Sequence, residues 1–218
     1  MINLKNIQVT RGTKQIFNDY NLTLSSPGLN IIKGKNGSGK TTLIKMIAGF
    51  LKPNKGEIIN KPDFTFHEWT QSHIYISNNN SLSNELSVIE NIKAWVGIRG
   101  WVISKNEIED NMKKIGIFAH KDFFISQCSE GIKRKTDLCK LFFSFTNKIK
   151  FWLLDEPTNN LDEDGRKILK ELLNKFISKK GTIIMSSHDS KIFKIKHKLI
   201  ELISSGDLFE KDHFHARI

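Results

Sequence analysis

Residues 34–41 read Gly-Lys-Asn-Gly-Ser-Gly-Lys-Thr, which is the G-x-x-x-x-G-K-[ST] spacing of a phosphate-binding loop. Glycines allow such a loop to wrap closely around a triphosphate, and the N–H groups of the loop and of the following helix point at the anion. Lys40 would reach the β- and γ-phosphates, and Thr41 would ligate Mg²⁺. The pattern requires a strand before the loop and a helix after it, and residues 29–32 and 41–51 have the corresponding apolar spacing. The sequence therefore predicts a site for a nucleoside triphosphate.

Two adjacent carboxylates, Asp155 and Glu156, follow the apolar run at residues 151–154. In a parallel α/β sheet the ligand crevice lies beyond the carboxyl ends of the strands, so Asp155 can reach the Mg²⁺ that Thr41 holds. Glu156 would then face the attacking water. The alternative is structural, because Asp-Glu before a proline can simply open a turn.

A further apolar strand, predicted at residues 181–185, is followed by a polar tip that contains His188. We expect this tip at the same edge of the sheet, where a histidine can hydrogen-bond a γ-phosphate or orient water. The neighbouring motifs favour this interpretation over a histidine that merely faces solvent.

Ser129 and Gly131 stand at the start of a predicted helix, where Ser129 is a natural N-cap. A helix N-terminus with a hydroxyl and a glycine suits a second anion, yet the sequence has one phosphate loop for it to serve. Either Ser129 is an ordinary cap, or this helix end serves the loop of another subunit.

Apolar periodicity divides the chain into a β-rich start, a helical middle and an α/β remainder. The first thirty residues alternate in the manner of a small antiparallel β region. Residues 86–145 have helical spacing, and the last helix of this stretch is predicted over residues 129–145. Other strands are predicted at residues 56–59, 73–76, 150–154 and 181–185, with a helix over about 164–177. Strand, helix and parallel strand in succession indicate an α/β core with a helical insertion.

The composition excludes several classes of protein. The 218 residues are 39% hydrophobic and 10% aromatic with four prolines, which is too rich in core-forming residues for a disordered or collagen-like chain. No apolar run approaches the roughly 20 residues of a membrane span, so we expect the chain not to cross a membrane by itself. Its net charge of +11 has two interpretations, solubility or attraction to an anionic partner, and the interspersed charges favour the first. Cys128 and Cys139 are predicted to be unpaired, as suits a reducing cytosol.

The motifs, in this order, resemble those of the nucleotide-binding subunit of an ABC transporter. Residues 34–41 match its Walker A motif, residues 151–156 its Walker B motif with the catalytic glutamate, and residues 128–132 its signature. Residues 160–162 resemble the D-loop and His188 the switch histidine. The resemblance implies an α/β fold with a P-loop NTPase (RecA-like) core at about residues 1–80 and 148–205, including an N-terminal antiparallel β subdomain. It also implies an inserted helical subdomain at about residues 85–147.

The resemblance also implies a role for individual residues. Catalysis is assigned to Glu156, His188 and Lys40. Mg²⁺ is assigned to Thr41, Asp155 and Asn78. Nucleotide contacts are assigned to Gly34, Lys35, Asn36, Gly37, Ser38, Gly39, Lys40, Thr41, Thr42, Arg11, Ser129, Gly131 and Asp162. Asp162, in the D-loop, would link two nucleotide sites.

A head-to-tail pair of subunits with two ATP molecules in the interface is the assembly that the resemblance implies. Ser129 and Gly131 would then contact the γ-phosphate held by the loop of the other subunit, which is a second copy or a paralogue. The pair would hydrolyse ATP to drive separate membrane-spanning subunits from the cytoplasmic face of the cell membrane. The chain resembles exporter ATPases, including those for haem, bacteriocins and drugs, and we favour export over import. Trp95, Ile98 and Trp101 are predicted to receive the membrane subunit or, alternatively, to be core residues.

Several positions depart from the family pattern. The signature usually reads Leu-Ser-Gly-Gly-Gln, whereas residues 128–132 read Cys-Ser-Glu-Gly-Ile. Asn78, or alternatively Asn79, stands where the Q-loop glutamine is expected. Arg11 stands near the aromatic residue that stacks on adenine, and it either stacks on the base or is a plain surface residue.

Two other functions compete with a transporter subunit. One is a soluble ABC ATPase that acts on translation or nucleic acid, which the positive charge would favour. The other is a degenerate scaffold that binds nucleotide without hydrolysis. The sequence has neither a second cassette nor a long coiled coil, and it has both Glu156 and His188. We therefore expect an ATPase without a dedicated nucleic-acid partner.

Overall fold

The computed structural model describes residues 1–24, 27–60, 64–187 and 194–202. Within these ranges the chain forms two β-sheets, six α-helices and short 3₁₀ turns. The elements in chain order are β1 (Ile2–Arg11), β2 (Lys14–Leu24), β3 (Gly28–Gly34), α1 (Lys40–Ile47), β4 (Lys55–Asn60), α2 (Phe66–Ser72), β5 (His73–Ile76), α3 (Val88–Ile98), α4 (Lys105–Lys114), α5 (Glu130–Cys139), β6 (Phe151–Asp155), α6 (Glu163–Ser178), β7 (Thr182–Ser186) and β8 (His197–Leu202). The 3₁₀ turns lie at Phe118–His120, Ile125–Gln127 and Lys140–Phe145.

The central sheet is parallel, with the described strands in the order β5-β6-β7-β3-β8. Every residue of β6 and β7 is buried, as expected for strands covered on both faces. Side chains of β6 alternate between the two faces: Trp152 and Leu154 pack with α3, α5 and α6, whereas Phe151 and Leu153 pack with α1. The predicted succession of strand, helix and parallel strand is confirmed by β6, α6 and β7.

The antiparallel sheet has the order β2-β1-β4 among the described strands. Ile2, Leu4, Ile7 and Val9 of β1 are buried, and they share one core with Leu43 and other residues of α1. This sheet therefore covers α1, which lies between it and the parallel sheet. The antiparallel β region predicted for the first thirty residues is confirmed, and β4 adds a third strand to it.

Helices α3, α4 and α5 cover the other face of the parallel sheet with buried apolar side chains. Ser87 and Glu90 form a capping box at the start of α3, which explains where that helix begins. The predicted helical region is confirmed, but the prediction of one helix over residues 129–145 is wrong. Helix α5 ends at Cys139, and the chain continues as the 3₁₀ turn Lys140–Phe145. Cys128 and Cys139 are free, as predicted, and both are buried.

The helix after the phosphate loop is shorter than predicted. We expected it to reach Leu51, but α1 ends at Ile47, because Gly49 adopts a φ of +84° that ends the helix in a left-handed turn. The sequence reading also missed α2 and β8. The signal for α2 was present, since Thr65 and Glu68 form a capping box at its start. None of the helices in the described ranges has the length and hydropathy that a membrane span requires.

Candidate nucleotide site

The loop between β3 and α1 is shaped by glycines in conformations that other residues adopt at a cost. Gly37 and Gly39 have φ angles of +78° and +101°. A Cβ atom on Gly39 would lie 2.7 Å from Ile16 and 2.8 Å from Phe17, and one on Gly34 would collide with Ser38 Oγ. The loop is therefore wound tightly against β2, with its backbone free to approach a ligand.

Lys40 is the first residue of α1, and its side chain crosses the loop. Its Nζ donates to the carbonyl oxygens of Gly34 at 2.8 Å and of Lys35 at 3.3 Å. The same atom lies 3.9 Å from Oε1 of Glu156. No acidic side chain occupies the first turn of α1, so the partial positive charge of the helix N-terminus is left uncancelled there. The arrangement suits a polyphosphate.

The other residues of the loop and of the first turn of α1 differ in their exposure to solvent. Lys35, Asn36 and Gly37 are exposed at the loop's tip, and Ser38 is buried with no hydrogen-bond partner for its hydroxyl among the described residues. Thr41 is exposed and Thr42 is buried. An unpaired buried hydroxyl is uncommon in a folded protein and fits a site in which a phosphate oxygen supplies the partner.

Asp155 closes β6 and is fully buried. Its Oδ1 accepts a hydrogen bond of 2.6 Å from Ser186 Oγ, at the end of the neighbouring strand β7. Its Oδ2 is buried and has no hydrogen-bond donor among the described residues. A buried carboxylate oxygen without a donor is costly unless a cation or its water faces it. The site thus fits the Mg²⁺ that the sequence predicts for Asp155 and for the Thr41 hydroxyl on α1.

Glu156 follows Asp155 in the left-handed region, with a φ of +47°. Its backbone N–H donates to Ser186 Oγ at 2.8 Å, and this holds the residue against the end of β7. The side chain is almost fully buried beside Lys40. The structure thereby brings together the phosphate loop and the predicted catalytic carboxylate.

Ser129 and Gly131 lie at the N-terminus of α5, as predicted. Ser129 is exposed, and its Oγ accepts from the N–H of Ile132 at 3.3 Å. A Cβ atom on Gly131 would lie 3.3 Å from the carbonyl oxygen of Asn160, so this helix end packs on the segment between β6 and α6.

Asp162 caps α6 rather than pointing into the phosphate loop. Its Oδ1 accepts from the N–H of Gly165 at 2.8 Å, and its Oδ2 accepts from Lys135 Nζ at 2.7 Å. The hydrogen bond from Lys135, and then that from Gly165, lower the pKa of the Asp162 carboxyl below its usual value. The side chain ties α6 to α5, and its role in linking two nucleotide sites stays a prediction.

Asn78 and Arg11, the two departures from the family pattern, are both exposed. The Asn78 Oδ1 atom accepts a hydrogen bond of 2.9 Å from Asn159 Nδ2. Arg11 lies opposite Lys14 at the end of the hairpin of β1 and β2. A Cβ atom on Gly37 would lie 3.7 Å from Lys14 Nζ, so the Lys14 side chain reaches the tip of the phosphate loop. The roles of Asn78 in metal binding and of Arg11 in base stacking stay predictions.

His188 lies outside the described residues. The sequence reading also missed three residues that hold the site together: Ser186, Asn159 and Arg134. Ser186 had a detectable signal, because it follows the apolar run of β7 at the strand's carboxyl end. Arg134 lies on α5 in line with Leu138 and Leu141, so a charge stands at a core position of the helical pattern.

The residues predicted to receive a membrane subunit divide into an exposed part and a partly buried part. Ile98 is 82% exposed, and Val102 is fully exposed. Trp95 and Trp101 instead contact each other edge to face, with ring centroids 5.2 Å apart, and pack against the core. Ile98 therefore remains a candidate for partner contact, whereas the two tryptophans serve mainly as core residues.

Comparisons with known proteins agree with this geometry. The family model described as "ABC transporter" matches residues 17–159. A "Cytochrome c biogenesis ATP-binding export protein CcmA" of Methylococcus capsulatus is 32% identical over 185 residues, which cover 84% of this chain and 88% of the relative.

Two solved structures have the same fold. A "Putative ABC transporter (ATP-binding protein)" from Pyrococcus furiosus has a TM-score of 0.73 at 26% identity and covers 92% of this chain and 96% of its own. A dimeric ATP-binding cassette in a post-hydrolysis state with ADP and Pi has a TM-score of 0.78 at 21% identity, covering 93% and 94%. The predicted P-loop NTPase fold is thus confirmed. Because the family model spans well over half of the sequence, this chain belongs to the ABC transporter family and carries the ATP-binding cassette of that family.

Proposed function

We propose that this chain binds Mg²⁺-ATP at residues 34–41 and hydrolyses it as one of two cassettes that face each other head to tail. The observation that carries the proposal is the approach of Lys40 Nζ to Glu156 Oε1 at 3.9 Å. These residues come from α1 and from the end of β6, so the fold assembles a phosphate-binding cation and a carboxylate for water in one place.

The loop's own groups bind and orient the triphosphate. Its backbone N–H groups and the N-terminus of α1 would face the phosphate oxygens, and Lys40 would exchange its bonds to backbone carbonyls for the β- and γ-phosphates. Mg²⁺, when bound by Asp155 and Thr41, supplies charge neutralisation to the phosphates. Asp155 is kept in place for this by the hydrogen bond from Ser186.

Glu156 would accept the hydrogen bond of the attacking water and polarise it. Its backbone is fixed by the bond to Ser186 at 2.8 Å, so the carboxylate is presented from a defined turn. His188 would orient the same water, as the sequence predicts.

Hydrolysis is tested by the change Glu156→Gln, with Glu163→Gln as the matched control, since Glu163 is exposed on α6. We expect Glu156→Gln to lower the rate of phosphate release by about 10²-fold or more while ATP binding persists, and the control to keep the wild-type rate. A Glu156→Gln variant that hydrolyses like wild type would contradict the role of this carboxylate. A wild type that binds ATP and never releases phosphate, alone or with membrane subunits, would support the scaffold alternative.

The exposed N-terminus of α5 supports the pairing of two cassettes. Ser129 and Gly131 have the chemistry of an anion site, and the dimeric relative described above has the same fold. A mixture of Lys40→Met and Ser129→Arg chains tests the pairing, because each mixed dimer regains one site with an intact loop and an intact signature. We expect each variant alone to be inactive and the mixture to recover activity. If the mixture stays inactive, two copies of this chain do not share sites, and a paralogue becomes the partner.

We further propose that the pair drives membrane subunits for export, at the cytoplasmic face of the membrane. Relatives of this chain are named export proteins of cytochrome c biogenesis. The exposed Ile98 and Val102 supply apolar surface for a partner. In cells of the source organism we expect the chain in the membrane fraction and the Ile98→Asp variant in the soluble fraction. An unchanged distribution would exclude this surface as the docking site.

A further inference from the structure

Arg134 occupies a position where a charge is costly. It lies on the buried face of α5, and only 1% of its surface is exposed. A buried guanidinium requires nearly all of its N–H groups to find acceptors, because each unpaired one adds to the desolvation penalty. The acceptors it has found therefore indicate what the side chain does.

Four backbone carbonyl oxygens accept hydrogen bonds from this guanidinium. Nη2 donates to Glu156 at 2.6 Å and to Asp155 at 3.2 Å. Nε donates to Pro157 at 3.2 Å, and Nη1 donates to Ser77 at 2.6 Å. One side chain thus holds three consecutive carbonyls, beginning with the last residue of β6, and the segment that follows β5.

The segment held in this way contains the strained residue of the site. Glu156 has a φ of +47°, a conformation that costs a residue with a Cβ about 1 kcal/mol or more. Its N–H is fixed by Ser186 and its carbonyl by Arg134, so both sides of the residue are pinned. The Ser77 segment is joined to the same region a second time, through the hydrogen bond from Asn159 to Asn78.

Buried acidic groups compensate the charge of Arg134. Asp137 Oδ2 lies 4.0 Å from Nη1, and Asp137 Oδ1 contacts Lys140. Burial lowers the pKa of the guanidinium, and the carboxylates of Asp137, Asp155 and Glu156 act in the opposite direction. A neutral amide at this position would make at most two of the donations and would leave carbonyls unpaired.

We propose that Arg134 is a positioning residue that fixes the backbone of Glu156, and with it the direction of the carboxylate toward the attacking water. The inference rests on the proposed function, in which Glu156 polarises that water. Arg134 itself touches neither the phosphate loop nor the reacting atoms. Because Lys40 and the loop depend on β3 and α1, removal of Arg134 should impair turnover and leave ATP binding intact.

The test compares Arg134→Gln, Arg134→Lys and the control Arg166→Gln, whose guanidinium is exposed on α6. We expect Arg134→Gln to lower kcat by about 10²-fold, because a misplaced reacting group has such an effect, with the dissociation constant for ATP within about threefold of wild type. Arg134→Lys keeps the charge and should retain an intermediate kcat. Arg166→Gln should match wild type in both constants.

Hydrogen exchange supplies a readout that does not require hydrolysis. In Arg134→Gln, the amides of Glu156, Thr158, Asn159 and residues 77–79 should exchange about tenfold faster, while those of α1 and β3 keep their protection. Unchanged protection, a uniform loss across the chain, or a kcat within about threefold of wild type would each overturn the positioning role. If Arg134→Gln does not fold, the same comparison is made with Arg134→Lys. A wild type that neither binds nor hydrolyses ATP would instead refute the proposed function.

Discussion

His73 makes the stability of this cassette depend on pH in a direction that the structure defines. The residue follows the last residue of α2 and begins β5, and its imidazole is buried against the ring of Trp69. Its Nδ1 atom lies 2.7 Å from the carbonyl oxygen of Trp69, which fits a neutral ring that donates from this nitrogen. Burial lowers the pKa of His73 from 6.5 to about 4, and the positive charge of Arg99 acts in the same direction.

The magnitude follows from the difference between the folded and unfolded pKa values. Between pH 6.5 and about 4 the unfolded chain binds a proton on His73 that the folded chain does not, so stability falls as the pH falls. At about 1.4 kcal/mol per pH unit, the free energy of unfolding should drop by about 2 to 3 kcal/mol between roughly pH 7.5 and pH 4.5 through this residue alone. His73 contributes this stability in full at pH values above its unfolded pKa of 6.5, and the contribution is lost as the pH falls toward about 4.

Urea unfolding at the two pH values measures this effect in wild type, His73→Gln and His67→Gln. His67 is exposed on α2, six residues earlier, so its variant should lose as much stability on acidification as wild type does. His73→Gln should lose about 2 to 3 kcal/mol less than wild type, although it is less stable at neutral pH. Equal losses in wild type and His73→Gln would show that the buried ring already takes up a proton in the folded chain, and the reasoning from burial would fail.

Three further changes test the site. Ser186→Ala removes a buried hydroxyl that donates to Asp155 and accepts from Glu156, so the free energy of unfolding in urea should fall by about 2 to 3 kcal/mol. A fall of less than about 0.5 kcal/mol would contradict the bridging role of this hydroxyl. Gly34→Ala should weaken ATP binding at least tenfold in a titration, because the added Cβ atom has no room. The control is Gly97→Ala, whose added Cβ atom meets no neighbour within 4 Å. This control should bind ATP normally and unfold at a higher temperature. Lys135→Met should raise the pKa of Asp162 toward its usual value in an NMR titration, and an unchanged value would assign the shift to the helix cap alone.

The phosphate loop was predictable from sequence because its chemistry is carried by the backbone. Glycine spacing, a strand before and a helix after are all local features, and they fix the loop's shape before any distant contact is considered. The end of α1 was not predicted correctly, although its cause is equally local. Apolar periodicity continues to Leu51, and only the left-handed Gly49 interrupts it.

The hydrogen-bond partners of polar atoms on distant segments could not be predicted from the sequence. Asp155 and Ser186 are register partners on neighbouring strands, and that adjacency depends on the order of strands in the sheet. The same holds for Asn78, whose hydrogen bond from Asn159 joins two segments that lie far apart in the sequence. A motif identifies the residue type that a site needs, whereas the partners of each polar atom follow from topology.

Arg134 shows how some of these polar contacts can be predicted from the sequence. A cation in line with Leu138 and Leu141 stands on the face of α5 that the apolar pattern assigns to the core, and burial without acceptors would cost several kcal/mol. Acceptors must therefore exist where the helix meets the sheet. Carbonyl groups beyond the carboxyl ends of parallel strands no longer bond to a neighbouring strand, so they are free to accept other hydrogen bonds. Those ends are also where ligands bind. A buried cation on a helix that packs against this edge thus indicates, from pattern and topology together, a residue that holds the backbone of the site.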